Sequence, residues 1–144
     1  MAFRGTFEYT LDAKNRLAVP PKFRAAFADG AVLAKGDGGH LELWRAEDHG
    51  ARTAASLESL HPLAPEREKL ERFYFSNSHD TELDAAGRVM VPGPFLEHAS
   101  LAKEAVVLGA GNHLEIWDRT AWNEHNAGLA AEVAEIRSRF GHPA

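Results

Sequence analysis

The sequence contains no cysteine and no long hydrophobic run, and its 21 acidic residues outnumber its 16 basic ones. The lack of cysteine excludes disulfides and thiolate metal sites, and no segment approaches the roughly 18 apolar residues of a membrane span. The first residues also lack the basic start and apolar core of a secretory signal. The net charge of −5 argues against indiscriminate coating of nucleic acid, so any contact with DNA must come from a local basic patch.

What the sequence does contain is an internal repeat. Leu11–Pro20 (LDAKNRLAVP) aligns with Leu83–Pro92 (LDAAGRVMVP), and His40–Trp44 (HLELW) aligns with His113–Trp117 (HLEIW). The offset is 72 residues for the first block and 73 for the second. Similar blocks in the same order at nearly the same spacing indicate two copies of one supersecondary unit.

Each copy has the pattern of a strand, a tight turn, a strand, a short helix and a second hairpin. Phe7, Tyr9 and Leu11 alternate with polar residues, as in a half-buried strand, and Pro20-Pro21 favours the start of a helix. Each second hairpin turns at a glycine-rich segment. The pattern predicts an α+β fold in which two pseudo-equivalent hairpin modules share one compact β core with peripheral helices.

Two helical regions lie outside the repeats. Between the copies, Pro62 and Pro65 separate a segment ending near Leu60 from one over residues 66–75, whose apolar face is Leu70, Phe73 and Tyr74. After the second copy, residues 119–140 predict one amphipathic helix with Asp118 as its N-cap, because apolar residues recur at helical spacing: Trp122, Leu129, Val133, Ile136 and Phe140.

These patterns divide the chain into four segments. We expect a first hairpin module over residues 1–50, a helical connector over 51–78, a second hairpin module over 79–120 and a C-terminal helix over 121–144. No flexible Gly/Ser linker separates them, so the copies should pack against each other.

In both copies an Asp closes one strand and an Arg opens the next, with three residues between them. Asn15 and Gly87 hold the third loop position, where such a turn usually needs a left-handed residue. The Asp–Arg pair could simply fasten the turn, although an exposed ion pair adds little stability. Alternatively, the Asp orients the guanidinium as a planar donor for a phosphate or a base edge.

Basic residues gather around the first turn. Residues 1–24 carry five basic residues against two acidic ones, which is net +3, whereas the rest of the chain carries net −8. The second copy has Ala86 where the first has Lys14, and Leu96 where the first has Arg24. A DNA contact is therefore predicted mainly at the first turn.

The opening Phe-Arg-Gly, the doubled Asp-x-x-x-Arg block with its trailing Val-Pro and the order of segments resemble the MraZ family of bacterial transcription regulators over nearly the whole chain. The resemblance implies two AbrB-like swapped-hairpin folds, a ring-shaped homo-oligomer, and binding to repeated double-stranded DNA sites in the promoter of the cell-division and cell-wall gene cluster. It also places Asp12, Arg16, Asp84 and Arg88 at the family's motif positions. The predicted DNA-binding residues are Arg4, Asp12, Lys14, Asn15, Arg16, Lys22, Arg24, Asp84 and Arg88.

Other functions have weaker support. The main alternative is a protein-interaction module of the antitoxin type with little DNA specificity, and a small hydrolase is a distant one because no nucleophile with a base can be identified. None of the eight histidines forms a His-x-x-x-His or His-Glu-x-x-His motif, so zinc is disfavoured and His40 and His113 are interpreted as packing or turn residues. We expect no cofactor, no small-molecule substrate, no membrane association, and a cytoplasmic, nucleoid-associated location.

Overall fold

The computed structural model describes residues 2–141. The first copy contains β1 (Thr6–Thr10), β2 (Arg16–Ala18), a 3₁₀ helix (Pro21–Phe27), β3 (Ala31–Lys35) and β4 (Leu41–Arg45). The connector contains α1 (Ala46–Leu57) and α2 (Pro65–Ser76). The second copy contains β5 (Ser78–Thr81), β6 (Arg88–Met90), α3 (Gly93–His98), β7 (Glu104–Gly109) and β8 (Leu114–Asp118), and α4 (Arg119–Arg139) follows.

The two copies exchange their first strands. A six-stranded antiparallel sheet has the order β1-β7-β8-β4-β3-β5, so β1 joins the second copy's hairpin and β5 joins the first copy's hairpin. The strands β2 and β6 pair with each other in a separate two-stranded ribbon. The predicted α+β fold with interleaved copies is confirmed, and the turn between β1 and β2 joins two strands that pair with the other copy.

The main core lies on one face of the six-stranded sheet. Alternation along β4 and β8 turns Leu41, Leu43, Leu114 and Ile116 to this face, where all four are buried. The ribbon closes the core from the other side with Leu17 and Val89, each 1% exposed. Since both copies line one core, neither could bury its apolar face alone.

The opposite face of the sheet carries two smaller clusters related by the repeat. The helix α1 lies beside the Trp44 cluster, where Arg52 stacks over the indole, and α4 lies on the Trp117 cluster through Trp122. Both Trp44 and Trp117 are buried and serve as packing residues.

The helices end near the predicted residues. The connector is interrupted between α1 and α2, in the segment that contains Pro62, and α4 begins after Asp118, whose side chain accepts a hydrogen bond from the Ala121 amide at 3.2 Å. No helix within residues 2–141 is long and apolar enough to cross a membrane.

Two apolar helix faces are not fully covered by any other part of residues 2–141. On α2 no residue is buried: Leu70 and Tyr74 of the predicted apolar face are half-buried, and Phe73 is 53% exposed. On α4, Ile136 and Phe140 are also exposed. The division of the chain into four segments stays a prediction. Because the two copies exchange strands, no single position in the structure marks the end of one module.

Candidate nucleic-acid interface

The first turn holds Arg16 through Asp12. One carboxylate oxygen, Oδ1, accepts the backbone N–H groups of Lys14 and Arg16, both at 2.9 Å, and the other, Oδ2, accepts Nε of Arg16 at 2.7 Å. Asn15 takes the predicted left-handed conformation with φ 58°. The hydrogen bonds from the Arg16 backbone and side chain outweigh partial desolvation and lower the pKa of Asp12 to about 2.

The second turn repeats this geometry. The Oδ1 atom of Asp84 accepts the N–H groups of Ala86 and Arg88 at 3.0 and 2.9 Å, and its Oδ2 accepts Nε of Arg88 at 2.9 Å. Gly87 is left-handed with φ 76°. The Arg88 backbone N–H and the Arg88 side chain lower the pKa of Asp84 as well. In both turns the carboxylate fastens the loop and also fixes Nε, so that the outer end of the guanidinium is directed away from the loop.

Both arginines lie on one exposed side of the β2–β6 ribbon. The register pairs Arg16 with Met90 and Ala18 with Arg88, and these four residues form what we call the ribbon face. The two arginine side chains are about one third exposed, and Met90 is 54% exposed. Because the opposite side of the ribbon is buried in the core, the ribbon face is held on a rigid support.

The two guanidinium groups differ in their remaining contacts. The Nη1 atom of Arg88 reaches across the ribbon to Asp12 Oδ2 at 3.5 Å. No acceptor is found for the terminal nitrogens of Arg16 within residues 2–141. The terminal nitrogens of Arg16 are therefore more available than those of Arg88 to donate hydrogen bonds to a ligand.

The other predicted basic residues lie at three different places. Lys14 is exposed on the first turn, and Lys22 lies 5.1 Å from the Phe7 ring centre and 5.0 Å from that of Phe23. Arg24 was expected beside the first turn, but this is wrong: its Nε donates to the Val19 carbonyl at 2.9 Å and its side chain covers Gly87 of the second turn. The cause is the strand exchange, which brings β6 next to β2.

Arg4 does not lie beside the first turn. It precedes β1, beside Gly109, whereas the first turn follows the other end of that strand. Eight residues of extended chain span about 25 Å, so Arg4 lies outside the ribbon face. Conversely, Lys103 was not among the predicted basic residues. It lies beside the first turn, where its carbonyl accepts the Leu11 N–H at 2.8 Å. Only the β1–β7 pairing reveals this neighbour, which has no sequence signal.

Both copies match a family of known proteins. The family described as "MraZ protein, putative antitoxin-like" matches residues 2–66 and 74–139. The chain belongs to the MraZ family. A "Transcriptional regulator MraZ" of Heliobacterium modesticaldum is 32% identical over 138 residues, which cover 96% of each chain.

Other relatives of the same printed name show similar coverage. The protein of Mycoplasmoides gallisepticum is 35% identical over 92% of this chain and 95% of its own, and that of Dehalococcoides mccartyi is 37% identical over 93% and 94%. The resemblance predicted from the repeat is thus confirmed. The name shared by these relatives describes regulators of transcription and no enzyme.

Proposed function

We propose that this chain regulates transcription by binding double-stranded DNA through the ribbon face and its two turns. The observation that carries the proposal is the pair of Asp-held guanidinium groups on one rigid, exposed surface. A guanidinium held at Nε keeps its outer nitrogens free to donate to phosphate oxygens or to the O6 and N7 atoms of guanine. Preorganisation lowers the entropy lost on binding.

The proposed roles of the residues follow from their positions. Arg16 donates to the DNA, Asp12 and Asp84 orient the two arginines, and Asn15 shapes the first turn. Lys14 adds charge at the tip of the first turn, and Arg88 adds a second contact. Lys22 and Arg24 act through packing and by adding positive charge near the ribbon. Arg4 could reach DNA only outside the ribbon face.

A single chain presents few positive charges, so we further propose a closed homo-oligomer, in the form of a ring, that binds repeated DNA sites. The exposed apolar residues Ile136 and Phe140 on α4 are suited to burial against a second copy. Several ribbon faces on one assembly would convert weak contacts into avidity. We place the target in the promoter of the cell-division and cell-wall gene cluster, and the protein at the nucleoid in the cytoplasm. A stable monomer in light scattering at micromolar concentration would contradict the assembly.

The test of DNA binding is a titration of a labelled duplex from the protein's own upstream DNA, with a scrambled duplex as the control. Each neutralised phosphate contributes a slope of about −0.9 to log affinity against log salt. We expect tighter binding to the upstream duplex and a steep loss between about 50 and 200 mM salt. A flat salt dependence would remove the electrostatic basis of the proposal.

The competing function is a module that holds a partner protein, as the antitoxin-like family description suggests. The exposed Phe73 and Phe75 on α2 would suit such a contact. This function predicts that Phe73→Ser abolishes partner binding while changes on the ribbon face do not. If the function is DNA binding, changes on the ribbon face weaken binding to DNA and Phe73→Ser does not.

A further inference from the structure

A second cluster of polar residues lies on the opposite face of the sheet from the core, where the two copies meet. In the β4–β8 register, Glu42 is directly opposite Glu115. Like charges in directly opposed positions destabilise a sheet, and these two carboxylates are only 19% exposed. A compensating positive charge is therefore required between them.

Two histidines converge on these carboxylates. The Nε2 atom of His40 lies 3.3 Å from Oε2 of Glu42 and 3.3 Å from Oε2 of Glu115. The Nε2 atom of His113 lies 3.8 Å and 3.5 Å from the same two oxygens. The ligand atoms of His40, Glu42 and Glu115 thus all lie within 4.8 Å of one another, and the His113 nitrogen adjoins both carboxylates.

The surrounding residues orient all four groups. The indole N–H groups of Trp44 and Trp117 donate to the other carboxylate oxygens, Oε1 of Glu42 at 3.0 Å and Oε1 of Glu115 at 2.9 Å, so that each Oε2 is turned inward. Each imidazole stacks on the tryptophan of the other copy, with ring planes within 8° of parallel. The four inward atoms are therefore held by a second layer of contacts, as metal ligands are.

One histidine nitrogen is aimed into the cluster without a hydrogen bond. The Nδ1 atom of His113 lies 2.8 Å from Oδ1 of Asn112, which can only accept, so Nδ1 carries a proton. A neutral imidazole of this tautomer presents the Nε2 lone pair to two carboxylate oxygens, whereas an imidazolium presents a second N–H group to them. His113 is 8% exposed, and its Nε2 has no hydrogen-bond partner within residues 2–141. Either a metal cation or a proton on Nε2 would satisfy this nitrogen and the two carboxylates beside it.

The distances are compatible with a bound ion as well as with long hydrogen bonds. Charge-assisted N–H···O bonds are about 2.7–2.9 Å long, shorter than all four N···O separations. A tetrahedral Zn²⁺ with bonds of about 2.0–2.1 Å has its ligand atoms about 3.3–3.4 Å apart, which matches the two 3.3 Å separations of His40, and His113 at 3.5 and 3.8 Å would have to move slightly inward.

We propose that His40, Glu42, His113 and Glu115 bind one Zn²⁺ ion that joins the two exchanged copies. Two imidazoles favour zinc over Mg²⁺ or Ca²⁺, which prefer oxygen ligands, and the dication neutralises both carboxylates. Four protein ligands make this a closed, structural site. The site does not depend on DNA binding, because it lies on the face of the sheet away from the ribbon.

The competing arrangement contains no metal. Although burial opposes it, the hydrogen bonds and charges of Glu115 and Glu42 raise the pKa of His40 to about 9, so an imidazolium could hold the carboxylates instead. In that arrangement the Nδ1 atom of His40 also carries a proton, and this buried N–H group has no acceptor within residues 2–141. Measurement of bound metal separates the two arrangements.

The experiment uses the full chain, treated with a chelator and then titrated with ZnCl₂. We expect one Zn²⁺ per chain by native mass spectrometry, and a rise in Tm of at least about 5 °C at saturating zinc. Added Mg²⁺ should change neither quantity. Substitution with Co²⁺ should produce the intense visible absorption of a tetrahedral site. Absence of stoichiometric zinc, or an octahedral cobalt spectrum, would overturn the proposal.

Matched variants locate the ion. Glu115→Gln and Glu42→Gln keep the side-chain shape and an oxygen for the tryptophan, but each removes an anionic ligand, so zinc affinity should fall at least 100-fold. The control is His125→Gln, which changes an exposed histidine that packs on Trp117 outside the cluster, and it should bind zinc normally. If a glutamine variant is unfolded in the absence of metal, it is refolded in the presence of Co²⁺, and its cobalt spectrum then shows whether the tetrahedral site has formed. Zinc bound equally well by Glu115→Gln would place the ion elsewhere and refute the assignment.

Discussion

The two Asp-x-x-x-Arg turns have almost the same internal geometry and different surroundings. In each, one carboxylate accepts two backbone N–H groups and one arginine Nε. However, Arg88 also reaches Asp12 of the other turn, and Arg24 covers Gly87, whereas Arg16 has no second acceptor within residues 2–141. A short motif therefore determines the shape of its own turn, while neighbours from the other copy determine which arginine is available to a ligand.

The largest effect should come from the buried side of the ribbon, where the two copies are equivalent. Leu17→Ala should lower the free energy of unfolding by about 2–5 kcal/mol, because it leaves a cavity in the shared core. Val89→Ala should lower it somewhat less, since fewer carbon atoms are removed. Denaturant unfolding measures both. If Val89→Ala left stability unchanged, the two inner positions would not be equivalent.

The exposed side of the ribbon should show the difference between the copies. Arg16→Ala should weaken binding to the upstream duplex by about 1–3 kcal/mol if Arg16 makes a bidentate base contact. Arg88→Ala should weaken it less, because its guanidinium already contacts Asp12. The measurement is DNA affinity at one fixed salt concentration, with oligomer size as the control. Equal losses would show that both turns bind DNA.

A smaller effect should follow from giving the second turn the residue of the first. Asparagine tolerates the left-handed backbone, as Asn15 does, but any Cβ at position 87 collides with the Arg24 side chain. Gly87→Asn should therefore destabilise by about 1 kcal/mol, whereas Asn15→Gly should change stability by a few tenths. In the Arg24→Ala background the penalty of Gly87→Asn should shrink. An unchanged penalty would mean that backbone strain causes it.

The smallest effect concerns acid. Because the folded state lowers the pKa of Asp12 from 3.8 to about 2, the carboxylate's stabilising contribution is complete above about pH 5 and is lost as the pH falls toward 2. The Tm of Asp12→Asn should therefore depend less on pH over that range than the Tm of the unaltered protein. Asp84→Asn should act in the same direction, since the pKa of Asp84 is also lowered. Carboxyl NMR titration checks both, and midpoints at or above 3.8 would contradict the hydrogen-bond network.

Much of the fold was predictable because its signals are local. Alternation marked β1, the prolines marked the gap between α1 and α2, and Asp118 marked the start of α4. The apolar face of α2 was predictable in the same way, but periodicity shows only that a helix has such a face and not what covers it.

The site was predictable only in part, for the same reason. Spacing predicted the two turns and the left-handed conformation of Asn15 and Gly87. It could not predict that Arg24 would cover the second turn, that Arg4 would lie at the far end of β1 from the first turn, or that Lys103 would adjoin the first turn. Each of these depends on which strand pairs with which.

The sequence by itself determined the repeat, the turns and the family, because these depend on residues close together in the chain. Only the tertiary structure decided the exchange of β1 and β5, and with it the position of every group that one copy supplies to the other. The histidines and glutamates show this most clearly: 73 residues separate each from its counterpart, and no metal-binding spacing connects them. Their meeting results from the pairing of β4 with β8, a long-range contact that local patterns do not encode.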